Sequence, residues 1–153
     1  MSAEQKVREL GIELPTPQKA AGNYIAGVQV GNLLFMSGCI SRRPDGSPIV
    51  GKLGAELGVE QGYAAARGAG LSMLTNIRSL LGSLDRVSRF VKVLGMVNAA
   101  PDFADHPKVI DGFSDLMVEV FGESGRGGRA AVGMGSLSKQ SAVEVEAVLE
   151  IRA

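Results

Sequence analysis

The hydrophobic and polar positions of this chain repeat with two different periods, and the changes of period divide the sequence into strands and helices. Residues 24–40 hold two apolar runs on either side of a Gly-Asn turn, which predicts two short strands. From residue 59 to about residue 84, apolar side chains recur every three or four positions, which predicts a long helix. The β-branched run over residues 89–99 predicts a further strand that ends before Pro101.

A second long helix is predicted to begin at Asp105 or at the residue after it, because Pro107 fits the first turn of a helix. Its apolar side chains fall on one face, and Gly122 is expected to end it. Weaker patterns predict a short helix over residues 4–11 and a short strand near residues 49–50.

The end of the chain predicts two apolar strands joined by a polar turn, and both strands carry charges. In the second strand, alternation predicts a buried face that contains Val143, Val145, Ala147, Leu149 and Ile151. Glu144 and Glu146 fall on its opposite face. In the first strand, one face contains Arg129 and Ala131. The other face is expected to pack against the core and contains Ala130, Val132, Met134 and Ser136. If the two strands pair antiparallel, the guanidinium and the carboxylates border an open volume for a small ligand on the helix-free side of the sheet.

This order of elements predicts an α+β protein in which a mixed β-sheet packs two helices on one face. The chain has 153 residues, the size of one domain, and no change of composition marks a linker. The 16 Lys and Arg residues balance the 16 Asp and Glu residues, which argues against nucleic acid or an anionic membrane as a partner. The polar N-terminus does not resemble a signal peptide, and no apolar run reaches the ~18 residues of a membrane span. We therefore expect a soluble, cytoplasmic, single-domain protein over residues 1–153.

Each candidate group also has a plainer interpretation. Arg129 could form a surface salt bridge with Glu144 or Glu146, which would contribute only about 0–1 kcal/mol. The run "GRGGR" lacks the Lys-Ser/Thr pair and the helix of a phosphate loop, so a turn is the better interpretation. Cys39 is expected to be a core residue and His106 a helix-start residue, and these single side chains make a structural zinc site improbable.

Three separated stretches, "GNYIAGVQVGNLLFMSGCI", "GRAAVGM" and "VEVEAVLEI", resemble the YjgF/Rid family of reactive-intermediate deaminases, once described as L-PSP endoribonucleases. The resemblance runs from about Ala20 to Ile151. It implies a chorismate-mutase-like fold and a homotrimer whose sheets form a barrel and whose clefts between subunits hold small carboxylic acids. It also implies hydrolysis of small enamines and imines, such as 2-aminoacrylate, to keto acids and ammonia, without a metal or another cofactor.

The resemblance assigns roles to individual residues. Arg129 matches the family's arginine that holds the ligand carboxylate, and Glu144 matches the glutamate that positions the hydrolytic water. The positions that it implies for substrate binding are Tyr24, Ser37, Gly38, Ala131 and Asp111. The chain departs from the family pattern where Asn23 replaces a proline and Ala131 replaces a frequent cysteine. Residues 1–20 are an N-terminal extension and the loop over residues 41–54 is longer than in the family pattern.

More than one class of function remains open. A deaminase accounts for both Glu144 and Arg129, whereas a non-catalytic trimer that binds small carboxylates accounts for Arg129 and for the altered residues around it. RNA cleavage is a weaker alternative, because the charge is balanced and no histidine base accompanies the site. The expected ligands are carboxylate-bearing imines, enamines or keto acids.

Overall fold

Five strands and three α-helices make up the computed structural model, which describes residues 1–153. The strands are β1 Gly27–Val30, β2 Leu33–Ile40, β3 Val87–Asn98, β4 Gly128–Met134 and β5 Val143–Ile151. The helices are α1 Ala3–Glu9, α2 Val59–Leu81 and α3 His106–Phe121. None of these helices combines the length and the apolarity that crossing a bilayer requires.

Local signals set the ends of the helices. α2 ends at Gly82, whose φ of 81° is left-handed, so the helix stops before the predicted position 84. α3 has Asp105 as its cap residue and Pro107 in its first turn, and Gly122 ends it as predicted. The strand predicted near residues 49–50 does not form: Val50 makes only an isolated bridge, because the following glycine adopts a φ of 135° that turns the chain.

The strands form one mixed sheet in the order β1-β2-β5-β3-β4. β3 pairs parallel with β4 and antiparallel with β5, and the other neighbouring strands are antiparallel. The predicted pairing of β4 with β5 is therefore wrong, because β3 lies between them. The physical reason is that α3 carries the chain back along the sheet. This allows β4 to run parallel to the second half of β3, from Lys92 to Asn98, and leaves the other edge of β3 free for β5.

α2 and α3 pack on one face of the sheet and on each other. The face of β5 that the sequence predicted as buried is buried against them: Val143, Val145, Ala147, Leu149 and Ile151. The two helices approach to backbone contact, since a Cβ on Gly112 would collide with the Tyr63 carbonyl.

α1 confirms the short helix that the sequence predicted over residues 4–11, in addition to the two helices packed on the sheet. Ala3 and Val7 on it are buried in the core. The Glu4 carboxylate accepts two hydrogen bonds from Arg78 of α2, at 2.7 and 3.0 Å, and one from the backbone of Leu84 at 2.9 Å. The start of the chain is therefore attached to the core by packing and by a partly buried ion pair.

The helix-free face of the sheet also carries many apolar side chains. The strand registers place on it Val28, Val30, Phe35, Leu94, Met96, Ala130, Val132, Met134 and Val148. Phe35 is 44% exposed and Val28 is 50% exposed. The same face carries the charged side chains of Lys92, Glu144, Glu146 and Glu150. A single chain thus exposes many apolar side chains here, and exposed apolar surface marks an interaction site in many soluble proteins.

The assignment of the two faces of β4 is reversed relative to the prediction. Ala130, Val132 and Met134 were expected under the helices but lie on the helix-free face. Arg129 and Gly133 face α3 instead. The pairing with β3 sets this orientation, because the register partners of Arg129 and Gly133 are Val93 and Val97, which are buried beneath the helices.

Candidate functional site

A cleft of about 450 Å³ opens beside the second half of β2, between the sheet, α2 and the extended segment before β1. We call it the Glu144 cleft. It is lined from the sheet by Ser37, Gly38, Glu144 and Glu146, and from the segment before β1 by residues 16–21 and Tyr24. Other lining residues come from α2 and from the loops that precede α2 and β5. Tyr24, Ser37, Gly38 and Glu144, which the sequence assigned to the site, therefore meet in one place.

An irregularity in β2 builds one wall of this cleft. The register of β2 against β5 shifts between Met36 and Cys39, which takes Ser37 and Gly38 out of the regular ladder. The Ser37 hydroxyl donates to the backbone carbonyl of Ile25 at 2.6 Å. That bond fixes the segment that carries the neighbouring tyrosine, whose own side chain is 55% exposed.

The Glu144 carboxyl is the titratable group at the centre of the cleft. It is half-buried, and burial raises its pKa above the usual range, with a smaller contribution from the charge of Glu146. No side chain or backbone group of the chain hydrogen-bonds to it. A carboxyl in these conditions accepts a proton more readily than an ordinary surface glutamate, which is the property of a general base.

Cys39 also borders the cleft but is chemically quiet. Burial raises the pKa of its thiol to about 11, and a hydrogen bond from Asn76 of α2 to the sulfur, at 3.5 Å, lowers it only in part. The thiol is therefore uncharged near neutral pH, and thiolate is the form that acts as a nucleophile. This agrees with its interpretation as a core residue.

Several cleft residues could not be assigned from the sequence. α2 contributes Ser72, Thr75 and Asn76, and the loops contribute Arg42 and Lys139. The Thr75 hydroxyl donates to the Pro15 carbonyl at 2.9 Å and holds the extended segment over the cleft. The available signal was the polar pair at positions 75 and 76, which interrupts an otherwise apolar helix face.

Arg129 lies outside the Glu144 cleft. Its Nη1 donates to the Asp111 carboxylate at 2.8 Å and to the Ser114 hydroxyl at 3.1 Å, and Nη2 donates to the Pro107 carbonyl at 3.3 Å. Within one chain, Arg129 therefore forms its salt bridge with Asp111, and the interpretation that paired it with Glu144 or Glu146 is wrong. Arg129 borders a second cavity of about 270 Å³ near the loop that precedes β4.

The other two residues assigned to substrate binding accompany Arg129 rather than Glu144. Ala131 is on the same face of β4 and packs against the hydrophobic core. Asp111 projects from α3 to the guanidinium. One chain thus holds two groups of candidate residues, one in the Glu144 cleft and one around Arg129, on different parts of the sheet. No three His, Cys, Asp or Glu side chains cluster in a way that could hold a metal ion.

Residues 4–148 match the family described as "YjgF/chorismate mutase-like, putative endoribonuclease". The chain belongs to this YjgF family. The chain is 42% identical to Protein TCP17 of Trypanosoma cruzi over 146 residues. This alignment covers 95% of the chain and 91% of TCP17. It is 35% identical to Atu1372 of Agrobacterium tumefaciens, a protein of unknown function, with a TM-score of 0.89 over 99% of this chain and 92% of that chain.

A structure from Shewanella oneidensis, which carries the same endoribonuclease description, has a TM-score of 0.94 at 33% identity. The match covers 99% of this chain and 100% of the Shewanella chain. Escherichia coli TdcF, solved with bound serine, shares the fold at 22% identity, with a TM-score of 0.61 over 92% of this chain and 94% of that chain. The sheet with helices on one face is therefore the YjgF fold.

Proposed function

We propose that this protein is a hydrolytic deaminase of small enamine and imine intermediates of the 2-aminoacrylate type. The observation that supports it most is the Glu144 carboxyl, which is half-buried in a cleft, has a raised pKa and is free of hydrogen bonds from the chain. A carboxylate in that state can take a proton from a water molecule that attacks a bound imine. The cleft volume of about 450 Å³ lies in the range of small-molecule sites.

The reaction needs no oxidant or reductant. An enamine first takes a proton at its terminal carbon and becomes an iminium ion. Water adds to the iminium carbon, the C=N π electrons move to nitrogen, and Glu144 accepts the proton that the water loses. Glu144 then returns this proton to nitrogen and the C–N bond breaks. The hydroxyl proton leaves as the carbonyl forms, so that one iminium ion and one water give one keto acid and one ammonium ion.

In this proposal Arg129 holds the ligand carboxylate, and a homotrimer brings it to Glu144. Within a chain, β4 is the edge strand furthest from β1, and β3 separates it from β5. A neighbouring subunit that sets its β4 edge against the Glu144 cleft would add Arg129, Asp111 and Ala131 to the site. A guanidinium binds a carboxylate through two parallel charge-assisted hydrogen bonds, which would fix the imine carbon relative to the water.

The helix-free face supports such an assembly. Val28, Phe35 and Val132 on this face are 50%, 44% and 36% exposed in the single chain. Three copies that turn this face inward would remove these side chains from water, at roughly 25 cal/mol for each Å² of apolar surface buried. The same arrangement would cover β4, whose outer edge is unpaired in the sheet.

A non-catalytic trimer that binds small carboxylates is the second candidate. The ion pair between Arg129 and Asp111 favours it, because a carboxylate already occupies part of the guanidinium that the reaction assigns to substrate. The serine bound in TdcF is in keeping with a small amino-acid ligand on this fold. RNA cleavage has less support: His106 packs against Phe103 and lies outside the Glu144 cleft.

The test is ammonia release from freshly generated 2-aminoacrylate, with wild-type protein and with buffer alone, beside calorimetric titration with pyruvate. Acceleration over buffer together with pyruvate binding is the expected result. Binding without acceleration would leave the carboxylate-binding module, and the absence of both would overturn both candidates.

A further inference from the structure

The Glu144 cleft contains more positive charge than the proposed reaction uses. Lys19, Arg42 and Lys139 line it together with two glutamates. None of these three cations forms an ion pair within the chain. A ligand with one carboxylate, held by Arg129 of a neighbouring subunit, would leave all three cations of the cleft without a ligand group to bind.

Arg42 is fixed in position by the loop that carries it. It is half-buried, and its Nη1 donates to the Gly46 carbonyl at 2.7 Å. Gly46 completes the predicted Pro-Asp-Gly turn with a φ of 87°, a conformation that glycine adopts without steric cost. The Nε and Nη2 donors of Arg42 have no partner in the chain. Free donors on a planar guanidinium match the geometry of a carboxylate.

Lys139 is placed at the cleft by a strained backbone. Lys139 and Gln140 have φ values of 55° and 54°, a left-handed conformation that side chains other than Asn, Asp and His rarely adopt. Two such residues in succession turn the loop before β5, and Lys139 lines the same cleft as Glu144. Backbone strain of this kind is common where a side chain has to reach a ligand.

From these contacts we propose that the natural ligand of the Glu144 cleft carries a second carboxylate, which Arg42 binds with the help of Lys139. This inference rests on the proposed function and narrows its substrate class to the imines and enamines of dicarboxylic amino acids. The first carboxylate belongs to Arg129 of the neighbouring subunit and the second to Arg42. Arg42 and Lys139 are then specificity-determining residues, because they select the side chain of the substrate and take no part in proton transfer.

The experiment is calorimetric titration of the full-length protein with two monocarboxylates, pyruvate and 2-oxobutyrate, and two dicarboxylates, oxaloacetate and 2-oxoglutarate. The variants are Arg42→Ala, Arg42→Lys and Arg43→Ala. Arg43 is the matched control, because it lies in the same loop and donates to the Pro48 carbonyl at 3.0 Å, but it does not line the cleft. Inorganic phosphate is the fifth probe and separates a carboxylate site from a general phosphate site.

Wild type and Arg43→Ala are expected to bind the dicarboxylates about 10- to 100-fold more tightly than the monocarboxylates, the scale of one charge-assisted interaction. Arg42→Ala should lose this preference and keep the affinity for monocarboxylates. Arg42→Lys keeps the charge but not the fork of donors, so it should retain only part of the preference. It also serves as the second variant if Arg42→Ala does not fold.

Equal affinity of wild type for both classes of acid would overturn the inference and leave the proposed function intact. A dicarboxylate preference that survives in folded Arg42→Ala would overturn it too. Phosphate that competes as strongly as 2-oxoglutarate would overturn the assignment of a carboxylate. If no acid binds and no imine is hydrolysed, the proposed function fails together with this inference.

Discussion

Gly38 and Glu144 face each other so closely that a Cβ on Gly38 would lie 2.7 Å from Oε2 of Glu144 and 3.1 Å from its carboxyl carbon. The irregular register of β2 brings the glycine to this point. Because no hydrogen bond from the chain holds the carboxylate, the space beside Gly38 determines where it can lie.

Gly38→Ala should displace the Glu144 carboxylate and reduce imine hydrolysis by about 10- to 100-fold, the cost of misplacing a reacting group by about 1 Å. The side chain can rotate away, so the melting temperature should change little. Gly135→Ala is the control, since a Cβ there would meet nothing within 4 Å. The measurement is the steady-state rate of imine hydrolysis by the wild type, Gly38→Ala and Gly135→Ala. Full activity of folded Gly38→Ala would contradict the prediction.

Glu144→Gln should reduce the rate of imine hydrolysis by about 100-fold or more, because the amide cannot accept the proton from water. Glu146→Gln should have a much smaller effect, since Glu146 also lines the cleft but is exposed to water. Ligand binding by calorimetry separates loss of the base from loss of the cleft. An inactive Glu146→Gln and an active Glu144→Gln would move the catalytic base two residues along β5.

The activity of the wild type should fall on acidification at a higher pH than an ordinary glutamate would require. Burial, and then the charge of Glu146, raise the pKa of Glu144, and the base must be deprotonated to act. A pH profile of kcat/KM measures this. A profile that stays flat down to the usual glutamate pKa of about 4.3 would argue against Glu144 as the base.

The raised pKa of Glu144 also makes the stability of the fold depend on pH. A raised folded-state pKa contributes stability below the unfolded pKa of about 4.3, and this contribution is lost as the pH rises through the folded pKa. At pH 7 the charged Glu144 carboxylate is therefore less well accommodated in the fold than in the unfolded chain. Glu144→Gln should be at least as stable as the wild type at pH 7, with the two converging below about pH 4. Urea unfolding at pH 7 and below pH 4 measures the free energy of unfolding of both proteins. If Glu144→Gln were clearly less stable than the wild type at pH 7, the predicted direction of the effect would be wrong.

Asp111→Asn should tighten the binding of monocarboxylates, because it removes the carboxylate that lies 2.8 Å from Arg129. Arg129→Ala should weaken the same ligands by about 1.5–3 kcal/mol, the range for a hydrogen bond to a charged group. Pyruvate titrations compare both variants with the wild type. Unchanged affinity in Arg129→Ala would mean that the ion pair with Asp111 is purely structural.

Val132→Asp should dissociate the proposed trimer into monomers, because a carboxylate on the apolar helix-free face would have to be buried without a partner. Leu10→Asp is the control: Leu10 is also exposed, at 49%, but it follows α1 and is remote from that face. Sedimentation velocity gives the molecular mass of each. A wild type that is monomeric at micromolar concentration would refute the assembly directly.

Short-range patterns were sufficient to predict most of the elements of this protein. The turn before β2, the two long helices and the buried face of β5 follow from periodicity and from glycine and proline, which act over a few residues. The same information could not place Asn76, Arg42 or Lys139 in the cleft. These residues come from a helix and two loops whose meeting point depends on how the elements pack.

The sequence by itself determined most of the strands and all three helices, because side-chain alternation and turn residues act locally, although the strand near residues 49–50 does not form and α2 ends earlier than predicted. Only the tertiary structure decided that β3 lies between β4 and β5, since strands compete for partners across the whole chain and the same alternation is compatible with either neighbour. That choice turned Arg129 toward Asp111 on α3 and away from Glu144. The separation of the two groups within one chain is therefore a product of strand order, which no local pattern contains.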